Sequence, residues 1–322
     1  MGRSWDDIPV YGATINDIDR QAVDYFLRRS IEAGRMDEEE ANASTEDVLR
    51  NLGLFTNNGE LKNAAILLFG KNVHQSFPSA NFKIGRFHTD ESDLIIQDVV
   101  EGNIIQMASR VMELLRSRYL VSPIHYEGIQ RIEQLEVPEK ALRELIYNAI
   151  SHKDYTGPAI QMRIYDRSIE LWNFGLLPEQ LTPSTLMLQH SSYPRNHNIA
   201  NVFYKAGFVE SRGRGFKKIS DEFERANMPL PTIKETGGGV MAIIKRKTID
   251  EIITERDGES RNFSETNSGK TKNNGGNMAV MTDIPQRTIE RELSVLQKSE
   301  VLYRIGAPRT GKWVIAEHMI KE

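Results

Sequence analysis

Glu144 and Asn148 stand four residues apart in Pro138-Glu139-Lys140-Ala141-Leu142-Arg143-Glu144-Leu145-Ile146-Tyr147-Asn148-Ala149-Ile150, a spacing that stacks them on one side of a helix. A carboxylate beside an amide oxygen can hold a hard cation, which keeps several waters of its own. The carboxylate can also orient or deprotonate a water. A plain solvated polar face is the other reading, because Leu142, Leu145, Ile146 and Ala149 already mark the buried stripe.

Further along, Ile160, Met162 and Ile164 alternate with polar residues, as do Ile169 and Leu171, around Asp166-Arg167-Ser168. That is a hairpin. Its second strand runs into Asn173-Phe174-Gly175-Leu176-Leu177-Pro178, where the glycine either lets backbone approach a flat ligand or makes an ordinary turn. Gly213-Arg214-Gly215 then leads into a helix whose Phe216, Ile219, Phe223 and Ala226 face inward. Free N–H groups at a helix start form an anion site, to which Arg212 and Arg214 would add charge; a mobile loop is the simpler alternative. His152 and Asp154 follow the first helix. They fit a base or ligand role, or a loop shaped by side-chain to backbone bonds. No second histidine stands at metal spacing, so zinc has no support.

Near the end, Gln286, Arg287, Glu290 and Arg291 share one face of a helix whose Ile289, Leu293 and Leu296 point the other way. A short apolar helix and a turn at Thr282 to Pro285 precede it, giving a helix-turn-helix layout. Two strands, Val301–Gly306 and Gly311–Ile315, flank a loop, Ala307 to Thr310, that suits a wing. Six basic and three acidic residues lie between Gln286 and Lys312. Gln286, Arg287, Arg291, Arg309 and Lys312 are therefore the candidate DNA contacts, with arginines reading guanine or holding phosphate.

These residues must be carried by ordered elements, and 322 residues suffice for two or three domains. Lys and Arg number 41 against 45 Asp and Glu, so no global basic excess marks a nucleic-acid binder and only a local patch can. There is no cysteine, which excludes disulfides and thiolate metal sites. No apolar window is long enough for a membrane helix, no signal peptide is evident, and a cytoplasmic location is expected. Helices are expected over 17–35 and 44–53, a strand over 80–88, and a long helix from Asn103 to Tyr119, with the apolar run 64–69 ended by Gly70. From Glu255 to Asn277 there is one aromatic, Phe263, and no aliphatic residue, a composition that suits a linker. The expected division is 1–135, an α/β part packing on the next; 136–250, a nucleotide-binding domain; 251–277, linker; and 278–322, a DNA-binding domain.

The words Leu142-Arg143-Glu144 to Asn148-Ala149, His152 with Asp154-Tyr155, Asn173-x-Gly175-x-Leu177-Pro178 and Gly213-x-Gly215-Phe216 occur in an order that resembles the GHKL ATPase fold. The likeness is closer to the C-terminal domain of RecG-like bacterial transcriptional regulators, and 278–322 resembles their winged-helix tail. The resemblance implies an α+β protein: a GHKL-like α/β sandwich with a C-terminal winged helix-turn-helix. It implies ATP and Mg²⁺ as ligands, with Asn148 at the metal, Glu144 as the catalytic group activating water, Asn173 and Gly175 beside adenine, and Gly213 and Gly215 near the phosphates. This sequence departs from hydrolysing members, which carry Asp at Asn173 and at Ser151; from the regulators it departs in having Phe174 where they carry Pro. Such relatives begin with an AlbA-type domain absent here, so the chain is expected to be a shortened version of a longer protein. The expected function is a DNA-binding, homodimeric regulator with a degenerate nucleotide sensor. An active ATPase working on nucleic acid, or an interaction scaffold, is the alternative. No Gly-x-x-x-x-Gly-Lys-Ser/Thr loop occurs, so helicase motor chemistry is not encoded.

Overall fold

Two side-chain caps start the first two helices. Asp19 accepts from the Gln21 N–H to begin α1 (Arg20–Glu32), and Ser44 from the Asp47 N–H to begin α2 (Thr45–Asn51). Val23, Phe26 and Leu27 of α1 are buried at helical spacing. The apolar run forms α3 (Asn63–Phe69), every residue of which is buried, and a short α4 (Val73–Ser76) follows. Next come β1 (Phe82–Phe87) and β2 (Leu94–Val100). Helix α5 (Ile104–Leu114) begins at Asn103, but its last turn widens into a π-helix at 115–119 rather than running on as α. That turn lets Tyr119 and Arg118 both reach Asp98 of β2, each at 2.6 Å.

This computed structural model describes residues 4–186 except 91, 122–123, 128–129 and 134, together with 191, 193–209, 215–246, 302–305 and 312–315. Residues 1–122 and 135–248 form one compact unit; 123–134 and 249–322 form another. In the second, β3 (Ile124–Glu127) pairs antiparallel with β4 (Gln130–Glu133). The first unit resumes with α6 (Glu139–His152), β5 (Ile160–Ile164), β6 (Ser168–Phe174), α7 (Pro183–Leu186), α8 (His197–Lys205), α9 (Gly215–Arg225), β7 (Thr232–Thr236) and β8 (Gly239–Lys245). The second unit also holds β9 (Leu302–Ile305) and β10 (Lys312–Ile315), an antiparallel pair where two strands were expected. The expected helices of 278–298, the linker 251–277 and the wing loop lie outside the described residues.

Six strands make one sheet in the order β2-β1-β5-β6-β8-β7, antiparallel at every step except β1–β5. Alternation decides which face is covered. Ile160, Met162 and Ile164 of β5, and Ile169 and Leu171 of β6, are buried, whereas their neighbours are half-buried. Helix α6 lies over β6 and packs against α5, α8 and α9. It is buried almost all round, since 141–151 are buried apart from Arg143 and Asn148. Each large apolar side chain so enclosed contributes about 1.5–3 kcal/mol. The result is a mixed α+β domain with helices layered on a mostly antiparallel sheet, as expected for an α/β ATPase-like domain.

Candidate functional site

The polar side of α6 does not face water. Glu144 is only 3% exposed, and its carboxylate lies 4.0 Å from the Lys218 ammonium of α9. The solvated-face reading therefore fails for Glu144. One turn later, the Asn148 amide nitrogen is buried with no hydrogen-bond partner among the described residues. A buried donor left unmet costs about 1–3 kcal/mol, so this position is suited to an acceptor supplied from outside.

Gly215 opens α9 directly against both groups. A β-carbon there would fall 2.6 Å from a Glu144 oxygen and 3.6 Å from the Asn148 amide nitrogen. Only glycine allows the helix start to come this close. The α9 helix ends on Asn227, whose φ of 48° is the left-handed stop that asparagine tolerates.

Across the cavity stands Asn173, third in the inward row after Ile169 and Leu171 and 8% exposed. Its backbone pairs with Val240 in the sheet, while its side-chain amide makes no hydrogen bond to a described residue. Gly175 follows with φ 110°, a conformation that side-chain-bearing residues rarely adopt, and donates to the Gly238 carbonyl at 3.0 Å. The absent side chain leaves room for Arg195, whose guanidinium would lie 3.1–3.2 Å from a β-carbon at Gly175. Arg195 is tethered there by donating to the Leu176 carbonyl at 2.7 Å.

The loop after α6 is fixed by its own hydrogen bonds. Asp154 accepts from the Thr156 N–H and hydroxyl at 3.0 and 2.6 Å, Tyr155 donates to the Ile150 carbonyl, and Lys153 donates to the carbonyls of Asp154 and Gly157. Burial would raise the Asp154 carboxyl, but Thr156, Arg195 and Lys153 together hold it below the usual range. Asn196, 1% exposed, donates to the carbonyls of Ser151 and Lys153 and so ties the end of α6 to the start of α8.

Glu144, Asn148, Asn173, Gly175 and Gly215 all border one cavity of about 160 Å³. Its other walls are largely aliphatic, from Leu171, Leu177, Leu186, Val240 and Ala242, with Tyr193 and Arg195 beside them. Gly213, Gln286, Arg287, Arg291 and Arg309 lie outside the described residues; Lys312 opens β10 opposite Ile305. Tyr193, Arg195 and Asn196 were missed in the sequence. The signal available was Pro194-Arg195-Asn196 just before a run with Ile199, Val202 and Phe203 at helical spacing, the wording of a capped helix start. Asp6, Asp7 and His197 form a second polar group. The Asp6 carboxylate accepts from the N–H groups of Asn198 and Ile199, and Asp7 pairs with Lys62 at 2.8 Å.

Residues 157–244, which carry much of this cavity, match the family described as "Putative ATP-dependent DNA helicase recG C-terminal". The chain carries a RecG C-terminal-like domain. Residues 2–83 match a domain of unknown function, DUF8451. No curated protein matches the chain. Among solved structures it is similar to the DIP2311 protein from Corynebacterium diphtheriae, with a TM-score of 0.63 and 16% identity. That likeness covers 98% of this chain and 64% of that one, and at such identity it shows a shared fold alone. Among the described residues no helix is long and apolar enough to cross a membrane.

Proposed function

We propose that the RecG C-terminal-like domain binds a nucleotide as a sensor, and that the C-terminal part of the chain, 278–322, binds DNA, making the protein a transcriptional regulator that works as a dimer. The observation that carries the nucleotide half is the unmet Asn148 amide beside the glycine-opened start of α9. A phosphate oxygen would satisfy that donor, and the helix N-terminus favours negative charge at the same place. The aliphatic walls around Asn173 suit a flat base.

The donor set also fits Mg²⁺ carried in with the phosphates. In this structure the amide turns its donor inward, which suits a phosphate oxygen; with its oxygen turned inward instead, Asn148 would give up that bond and ligate the ion, with Glu144 close by. The remaining ligands would be phosphate and water, as this ion prefers. When bound, the ion would neutralise phosphate charge. A sensor is favoured over an engine because Asn173 and Ser151 stand where the hydrolysing members that the sequence resembles carry Asp.

The DNA half is supported by the excess of basic over acidic residues in 286–312, and the helicase description of the matched family accords with a nucleic-acid partner.

Titration of the whole chain with Mg·ATP is expected to saturate, and Asn148→Ala to weaken it about tenfold, the worth of about 1.4 kcal/mol. No binding at millimolar nucleotide overturns the sensor. Steady phosphate release abolished by Glu144→Gln would make the protein an ATPase instead. DNA affinity is expected to fall with salt and with Arg287→Ala and Arg291→Ala; if neither change matters, 278–322 is not the reader.

A further inference from the structure

Asn173 is a polar residue on a face made for apolar ones. Ile169 and Leu171, which precede it in the same inward row, are 0% and 2% exposed. The residue as a whole is 8% exposed, and its amide makes no hydrogen bond to any described residue and borders the cavity. An amide that opens on the cavity and holds no described partner is free to donate to, or accept from, an occupant. The walls beside Asn173 are Leu171, Leu177, Val240 and Ala242, whereas Glu144, Asn148 and the start of α9 stand on the helical side. An amphipathic ligand with an aromatic and an anionic end would place its aromatic end at Asn173.

We infer that Asn173 lets this site accept 6-amino and 6-oxo purine nucleotides with similar affinity. The inference rests on the nucleotide reading above. A primary amide offers an accepting oxygen and a donating nitrogen on the same planar group. Turned one way it accepts from the amino group at position 6 of adenine. Turned the other way it donates to the oxygen at position 6 of hypoxanthine. No protein hydrogen bond among the described residues fixes the amide in either orientation, so the exchange costs no existing contact. A carboxylate at the same place could accept but never donate, and its charge would oppose the 6-oxo group. The sensor would then report purine nucleotide as a class rather than adenine nucleotide alone.

The test is displacement of a ribose-labelled fluorescent ATP from the full chain by Mg·ATP and by Mg·ITP, which differ in the base at position 6 and its adjoining proton. The wild-type affinities are expected to agree within about threefold, well under the tenfold that one lost hydrogen bond would make. In Asn173→Asp, ITP is expected to weaken relative to ATP by about tenfold or more. A wild-type preference for ATP above about tenfold overturns the inference while leaving the nucleotide reading intact. So does a ratio unchanged in Asn173→Asp. If that variant does not fold, the wild-type ratio alone decides. Failure of the labelled ATP itself to bind overturns the nucleotide reading, and this inference with it.

Discussion

Lys153 illustrates how one residue beside the cavity organises a loop at an energetic cost. It is wholly buried, and its ammonium is held by the carbonyls of Asp154 and Gly157 and lies 5.0 Å from the centre of the Tyr155 ring. Burial pushes its pKa down from 10.5 to about 8, against the pull of Asp154. Below about pH 8 the ammonium is charged in both folded and unfolded chains, and its burial weighs fully against folding. Between about 8 and 10.5 the folded chain has released the proton while the unfolded chain retains it, so stability rises with pH through that window. The two limits correspond to about 3 kcal/mol. Urea denaturation at pH 7.5 and 9.5, below the range where tyrosines ionise, is expected to show this rise, and Lys153→Met to remove it. An equal rise in the variant would place its origin elsewhere. Other residue-level features were only half visible in the sequence. The spacing of Glu144 and Asn148 put both on one side of α6, but not beneath α9, because contact between residues 144 and 215 is a matter of packing rather than of spacing.

At the scale of elements, α8 has its cap supplied from the other end of the chain. Asn196, the residue in capping position, spends its side chain on the carbonyls of Ser151 and Lys153. Asp6 accepts from the first N–H groups instead, at 2.9 and 3.3 Å. Asp6→Ala is expected to lower stability by about 0.5–2 kcal/mol and speed amide exchange at Asn198 and Ile199; Asp6→Asn, which still accepts, should lose less. Unchanged exchange in the alanine variant would show that α8 does not depend on Asp6. The sequence marks the start of α8 at Asn196 but not the distant Asp6 that caps it, whereas α6, β5 and β6 are legible from spacing alone. Those three carry their own periodicity, and α1 and α2 their own caps. Strand β7 buries Ile233 alone, and the exposed positions of β2 include Leu94, Ile95 and Val99, so neither shows the alternation that marks a half-buried strand. The π turn that ends α5 is equally invisible in periodicity, since Leu115 and Tyr119 are four apart and would suit an α-helix too.

For the whole molecule, the decisive geometry is where the chain leaves its larger unit, once for 123–134 and again after 248. Both departures are fastened by one buried ion pair. Arg246 meets Glu136 through two bonds of 3.0 and 2.7 Å, and the residues are 9% and 6% exposed. Glu136 also accepts from the Val121 N–H, while Arg246 donates to the Tyr165 carbonyl. The pair thus joins residues 121, 136 and 246, which flank both departures. It stands just past the end of β8, and the opposite end of β8 pairs with Asn173 at the cavity. Strand β8 thus runs from beside the cavity to the residue before Arg246. Arg246→Met alone would strand a buried carboxylate and is expected to cost about 3–5 kcal/mol. Glu136→Gln combined with Arg246→Met removes both charges while keeping an acceptor for Val121, so it should recover much of that loss. If nucleotide alters DNA binding through this strand, the double variant should bind Mg·ATP and DNA each as before, yet show DNA affinity that no longer responds to nucleotide. Coupling of two ligands is a free energy shared between their sites, so its loss with both affinities preserved would locate the connection at this pair. Coupling retained in full by the double variant would exclude the pair as the connection.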